Sequence, residues 1–594
     1  MKDFFKMMLA SALGFIIANI ILSIVAILFF FGMMSSIFNS MSNEKVVIEN
    51  NSVLHLPLNG VIKERVAEDD PFTSLFLGQG NVSSIGLNDI TSAIRKAKNN
   101  GNIKGIYIDS RMIRASKATL SEIRQELENF KTESGKFIVA YSDAYLQDGY
   151  YLASVADKVV LNPQGSLMLS GLASMPVFYK DALDKLGIKT QIFKVGTYKS
   201  AVEPLIQNKM SDANREQVDA FLNDMWAFIK SDIASSRNIS EDAIDTIANQ
   251  MTMMQPADFM LANHLVDTLL YETDMKNYLR SLLELSEDDK IPSVSVADMK
   301  SVKGDKAVKS KNRIALLYAE GNIVSGNSSI GIQDKYMVNQ IEKLKKDDNI
   351  KAVVFRVNSG GGSAYASEQI WKAISELKEA GKPVVASLGD YAASGGYYIS
   401  CNASKIVAQP TTLTGSIGIF GIIPNFEGTA KKIGVNTDVV KTNNFADFGN
   451  IMRPLNEQES QYMQGYIERG YDLFVTRCAE GRNMPKDSLL KYAEGRVWTG
   501  NQAKKIGLVD ELGNIKTAID LAAELAELGT DYAVYEYPRK RSKWQEILKP
   551  NKNELAAETL KEYLGDSYNI FSLIKDLKEQ DFVQARMPYE LNIQ

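Results

Sequence analysis

The sequence predicts a tandem α/β protein, with two related domains of alternating strands and helices behind one amino-terminal transmembrane helix. Three observations predict it. A long uncharged run lies near the amino terminus, distinctive stretches recur at a constant spacing, and each copy alternates short β-branched runs with amphipathic ones. At 594 residues the chain is also too long for one hydrophobic core.

The anchor comes first. Met7 to Met34 form 28 positions without a charge, enough to cross a bilayer with some tilt. Phe29-Phe30-Phe31-Gly32-Met33-Met34 fits a signal-peptide cleavage site poorly, so the helix is expected to stay uncleaved. Lys2, Lys6 and the amino terminus outweigh Asp3 on the near side, while Glu44, Lys45 and Glu49 give no positive excess beyond it. The positive-inside rule then leaves the amino terminus in the cytoplasm and everything after about residue 40 outside. In a two-membrane bacterium, that makes a single-pass protein of the inner membrane whose body lies in the periplasm.

The repeat follows. Asn102 to Ile108 matches Asn349 to Phe355, Gly149-Tyr150-Tyr151 matches Gly396-Tyr397-Tyr398, and Asp157 to Val160 matches Ser404 to Val407, all at an offset of 247. Pro163 and Gly171 recur as Pro410 and Gly418, and Leu265-Val266-Asp267 recurs as Leu508-Val509-Asp510. Within each copy, runs such as Ile103–Ile108, Phe137–Ala140 and Lys158–Leu161 precede amphipathic stretches such as Leu120–Phe130 and Ser367–Leu377. This is the pattern of βαβ units with buried parallel strands. More strictly helical sequence follows in each copy, over 211–270 and 456–528. The expected plan is therefore residues 1–45 for the stub and anchor, 46–285 for the first repeat and 286–313 for a charged linker. Residues 314–535 make the second repeat, and 536–594 a basic and then helical extension.

Composition narrows the chemistry. A net charge of −5 gives no sign of a nucleic-acid partner. Two cysteines, Cys401 and Cys478, read as buried thiols and not as a disulfide framework. Only two histidines occur, His55 in an alternating apolar run and His264 in a helix-like stretch, and both read as structural. Zinc hydrolases and Ser-His-Asp hydrolases are correspondingly disfavoured, and no metal or organic cofactor is expected.

The informative positions are those where the two copies differ. Val357-Asn358-Ser359-Gly360-Gly361-Gly362-Ser363 closes a strand and opens a helix, a turn whose backbone N–H groups can bind developing negative charge. The first copy has Ser110-Arg111-Met112-Ile113-Arg114-Ala115-Ser116 there, without the glycines. Ser394, in Ala392-Ala393-Ser394-Gly395-Gly396, sits at a strand-to-helix turn, and Gln147 occupies its place in the first copy. Conversely Lys199, in Gly196-Thr197-Tyr198-Lys199-Ser200, faces Ala446 in the second copy. One half thus keeps a candidate base and the other a candidate nucleophile and anion site. A single composite site between the halves accounts for this complementary loss.

Together these stretches resemble the tandem, long form of bacterial signal peptide peptidase, the protease IV family. The similarity covers nearly all of the chain and includes Tyr198 to Pro204, Ala392 to Tyr398 and Thr414-Gly415-Ser416-Ile417-Gly418. The resemblance implies two Clp-protease/crotonase-like domains of repeated ββα units. It implies Ser394 as nucleophile, Lys199 as general base, the N–H groups of Gly361 and Gly395 as oxyanion donors, and Ser416 as the residue that positions the lysine amine. It further implies a ring- or bowl-shaped homo-oligomer, a tetramer, and apolar peptide substrates, chiefly signal-peptide remnants. One departure is Gly360, where the family commonly has proline. Two rival readings remain at this level: an acyl-CoA enzyme of the same broad fold, and a non-catalytic membrane scaffold. The apolar insertion 71–77 reads as a lip or a packing surface, and Arg539 to Lys543 as a solvated basic loop.

Overall fold

A computed structural model of the full chain describes residues 47–66, 84–302, 310–327, 331–539 and 583–587, and much of the amino-terminal helix. The insertion 71–77 and residues 540–543 of the basic stretch lie outside the described residues. Lys6–Ala26 is a helix with mean hydropathy 2.4, long and apolar enough to cross a membrane.

Each half folds around its own sheet, parallel throughout in the first and parallel in the second except for the edge strand Val497–Thr499, which pairs antiparallel with Leu413–Gly415. In the first, the strand order is Ser84–Gly86, Ser52–Lys63, Ile103–Arg114, Phe137–Tyr145, Lys158–Leu167 and Thr268–Leu269. In the second it is Val497–Thr499, Leu413–Gly415, Val384–Ala393, Ile350–Ser359, Arg313–Glu320 and Ala533–Tyr537. Strands beginning at Ile103, Phe137 and Lys158 recur at Ile350, Val384 and Lys405, so the 247-residue offset is a repeat of structure as well as of sequence. The central strands are apolar on both faces because helices cover both: Ala352, Val353, Val354 and Phe355 are all fully buried. Val353, Val354 and Phe355 each contribute roughly 1.5–3 kcal/mol on burial. The helices start where the sequence supplies caps. Ser116, Ser211 and Ser363 accept from the N–H groups of Thr119, Asn214 and Ala366, and Asn456 forms a capping box with Glu459.

Two stretches differ from their expected form. Residues 286–313, read as linker, are partly folded: Ser293–Ser295 pairs in parallel with Val53–His55, and the helix Val296–Ser301 follows. The alternation Ser293-Val294-Ser295 suits a strand whose central Val294 is buried, a signal outweighed in sequence by the surrounding charge. His264 is not helical either; it has φ 58° just after the helix Ala257–Ala262. Cys401 and Cys478 are free and buried.

A third sheet joins the halves. Its order is Ile332–Gln333, Ile323–Val324, Gly361–Ser363, Val583–Arg586, Ile419–Asn425 and Lys189–Val195. The last of these belongs to the first half and pairs antiparallel with Ile419–Asn425 of the second, from Val195 opposite Ile419 to Lys189 opposite Asn425. The chain therefore crosses to the second half immediately before it reaches Lys199.

Candidate active site

Ser394 lies between the strand Val384–Ala393 and the helix Gly395–Ser400, with φ 56° and ψ −115°. For a residue with a β-carbon this is a strained conformation. It persists because both sides are tied down: the Ser394 N–H donates to the Gly415 carbonyl at 2.7 Å, and the Ser394 carbonyl accepts from the Tyr398 N–H at 2.8 Å. The strain aims the hydroxyl away from the sheet and toward the crossing segment of the first half.

Lys199 arrives from that segment. Its Nζ lies 2.7 Å from Ser394 Oγ, 3.0 Å from Ser416 Oγ and 3.0 Å from the Ser416 carbonyl. All three residues have no solvent exposure. Burial alone pushes the Lys199 amine well below the ordinary lysine pKa. Ser416, itself at φ 49° and held by its N–H to the Arg496 carbonyl at 2.7 Å, supplies two oxygens to the amine. The structure thus brings Lys199, Ser394 and Ser416 together across 217 positions of sequence.

The glycine-rich turn lies beside them. Gly361 has φ 104°, and a β-carbon there would sit 2.8 Å from the Gly395 nitrogen and collide with the Ala585 carbonyl oxygen. Only glycine allows so close an approach. The Gly361 N–H donates to Ser359 Oγ at 3.1 Å. Gly361 and Gly395 therefore lie side by side, with the Gly361 N–H turned to Ser359 Oγ in this structure. In the first copy the corresponding place is sealed. Gln147 Oε1 accepts from the N–H groups of Ser170 and Gly171 at 2.9 and 3.0 Å, and its Nε2 donates to the Gly171 carbonyl at 2.9 Å.

Sequence comparison of the copies missed the residues that press on the lysine. A β-carbon at Gly495 would lie 2.7 Å from Lys199 Cβ, and one at Gly418 would lie 3.2 Å from Lys199 Cδ. The Tyr198 N–H donates to the Glu494 carbonyl at 2.9 Å, and Gln217 bridges the halves between the Tyr198 carbonyl and the Val497 N–H. Gly418 was visible as a repeat of Gly171; Gly495 left no signal, because its neighbour in space is nearly 300 positions away in the chain. The strand Val583–Arg586 is the largest omission, since the carboxy-terminal extension reads as basic and helical. His55 stacks on Tyr107, with ring centroids 5.4 Å apart, and lies in the first sheet away from these residues.

Comparison with known proteins supplies the family. The profile of peptidase family S49 matches residues 131–286 and 376–529, one match in each half. The chain belongs to peptidase family S49. Protease 4 of Salmonella typhi is 40% identical over 449 residues, covering 74% of this chain and 72% of that protein. Protease 4 of Haemophilus influenzae is 35% identical over 514 residues, covering 84% and 83%. The chloroplastic serine protease SPPA of Arabidopsis thaliana is 29% identical over 553 residues, covering 91% and 78%. The chain is accordingly a bacterial protease IV-type serine peptidase, with an S49 domain repeated twice and an apolar helix suited to membrane anchoring. The acyl-CoA and scaffold readings give way to this one.

Proposed function

We propose that this S49 peptidase is a membrane-anchored endopeptidase that uses a Ser394/Lys199 dyad to degrade apolar peptides, chiefly signal-peptide remnants, at the outer face of the cytoplasmic membrane. The observation that carries the reading is the 2.7 Å approach of Lys199 Nζ to Ser394 Oγ, both residues having no solvent exposure. Serine needs a base to become a nucleophile. A lysine supplies one only when its amine is neutral, and burial here pushes the Lys199 pKa well down, in the direction that favours this form. Neutral Lys199 takes the Ser394 proton while Oγ attacks the peptide carbonyl carbon. The N–H groups of Gly361 and Gly395 hold the resulting oxyanion. Lys199, positioned by both Ser416 oxygens, returns the proton to the leaving nitrogen, and water hydrolyses the ester by the reverse path.

Ser394→Ala and Lys199→Ala are each expected to lower peptide turnover by at least about 10⁴-fold without unfolding the protein. Retention of a few per cent of activity by either would remove the dyad. The acid limb of kcat/KM should reflect protonation of Lys199, so activity falls as pH falls from 9 to 5. A flat profile across that range would contradict a lysine base.

Preference for apolar peptides is supported by a cavity of about 750 Å³ beside the strand Gly361–Ser363, lined by Tyr365, Tyr398, Phe448, Tyr462, Tyr466 and Leu473. Placement outside the cytoplasm rests on the charge bias around the helix; a reporter fused after residue 50 that works only in the cytoplasm would reverse it. Assembly into a ring-shaped tetramer rests on family resemblance, and the mass of the detergent-extracted particle tests it.

A further inference from the structure

The strand that delivers Ser394 breaks step just before it does so. Val384–Ala393 runs parallel to Ile350–Ser359 with Val357 opposite Leu388, but the next aligned pair is Ser359 opposite Ala392. Asn358 therefore stands against three residues, Gly389, Asp390 and Tyr391. A bulge of this kind interrupts the ladder and re-aims a side chain. The interrupted backbone groups find partners nearby: the Tyr391 N–H donates to Asn358 Oδ1 at 3.1 Å, and the Gly389 carbonyl accepts from Thr412 Oγ1 at 2.7 Å.

The side chain re-aimed is that of Asp390, and it crosses to the first half. Its Oδ1 accepts from the Thr119 N–H at 3.1 Å, from Thr119 Oγ1 at 2.7 Å and from Ser116 Oγ. Ser116 is the N-cap of the 18-residue helix Lys117–Ser134, so the carboxylate also meets that helix's positive end. Its Oδ2 lies 3.4 Å from Asn358 Nδ2, on the strand that leads into the glycine-rich turn. Ser116 and Thr119 stand 247 positions before Ser363 and Ala366, which open the helix after that turn in the second half. The helix start equivalent to the live anion turn is thus filled, in the first half, by a carboxylate of the second.

We propose that Asp390 is a positioning residue for peptide hydrolysis: held by Ser116 and Thr119 of the first half, it fixes the bulge from which Ser394 departs and so sets the nucleophile against Lys199. This rests on the dyad proposed above. The base reaches the second half on a strand of the first, and Asp390 makes the reciprocal tie four positions before the nucleophile. That short backbone is itself anchored, since the Ala392 carbonyl accepts from Thr414 Oγ1 at 2.7 Å. The tie stops the two halves from sliding where a 2.7 Å contact must be kept.

The test measures kcat and KM of full chains extracted in detergent, on an apolar reporter peptide, with Ser394→Ala as the inactive reference. Asp390→Ala is expected to lower kcat by about 10²-fold with KM changed by less than about twofold. Asp390→Asn, which keeps an oxygen for Thr119, should recover most of the loss. The paired change Ser116→Ala with Thr119→Val leaves the second half untouched and should lower kcat about tenfold, yet add nothing to Asp390→Ala. A contact that serves stability alone would lower the unfolding midpoint and leave kcat of the folded chains at the parent value, which would overturn the proposal. Full additivity of the two changes, or no recovery in Asp390→Asn, would overturn it too. Parent-like kcat for Asp390→Ala beside an inactive Ser394→Ala would overturn positioning and leave the dyad standing; turnover by Ser394→Ala would overturn both.

Discussion

Ser394 and Lys199 are both held in states that cost folding energy. The left-handed φ of Ser394 costs on the order of 1–3 kcal/mol, and the buried amine of Lys199 costs more as the surrounding pH favours its protonation. Unfolding lets that amine pick up a proton throughout the interval between its depressed folded pKa and the ordinary value of about 10.4. The unfolded state binds the extra proton there, so stability rises with pH across this interval. Lys199→Met removes this contribution. Urea unfolding at several pH values between 7 and 9.5 should show a smaller rise in stability for the variant than for the parent, with the largest relative gain at the lower pH. Gly361→Ala acts at the neighbouring position: its methyl would meet the Gly395 nitrogen at 2.8 Å and displace one oxyanion donor. A loss of about 10²–10³-fold in kcat is expected, with the fold retained by circular dichroism.

Among the elements, the strand Ile350–Ser359 does more than lead into the glycine-rich turn. Three residues before that strand ends, Arg356 is buried against Glu64 and Glu122 of the first half, with Nη2 at 2.9 Å from a carboxylate oxygen of each. One guanidinium therefore clamps two carboxylates across the seam. Burial pushes the Glu64 carboxyl up to about 7 despite the pull of Arg356. Arg356→Met leaves two carboxylates facing each other without a partner, and should cost about 3–5 kcal/mol in chemical denaturation. Glu64→Gln keeps a hydrogen-bonding oxygen and removes the surplus charge. It should cost less, and it should flatten the fall in stability that the raised Glu64 pKa produces between about pH 4.5 and 7. Neither residue stands out in sequence, because a buried arginine inside an apolar strand has no pattern of its own.

At the scale of the molecule, the proposed dyad belongs to neither half alone, and Gly495 tests that directly. It lies in the second half, yet a β-carbon there would come within 2.7 Å of the backbone nitrogen and Cβ of Lys199 in the first. Gly495→Ala should shift the lysine and lower kcat by about 10²-fold with little change in KM, and its positive φ and backbone contact should lower the unfolding midpoint as well. Much of this architecture was legible beforehand because duplication made it so. Comparing copies 247 positions apart exposed Ser394, Lys199 and the glycine-rich turn as differences against a shared background. The expected parallel strands appear where β-branched runs predicted them. What had no internal reference stayed hidden: the crossing strand Lys189–Val195 has no visible mark of its partner, and the four-residue strand at Val583 is too short to show a period. The folded part of 286–313 was masked by its charge.

Gln147 holds this division of labour in place. Its side chain satisfies two backbone N–H groups and one carbonyl around Ser170 and Gly171. A serine at that position would lose all three hydrogen bonds, and the turn at Ser110–Ser116 would still lack its glycines. One substitution at 147 therefore makes no second site, and the proposed chemistry needs both copies in one chain.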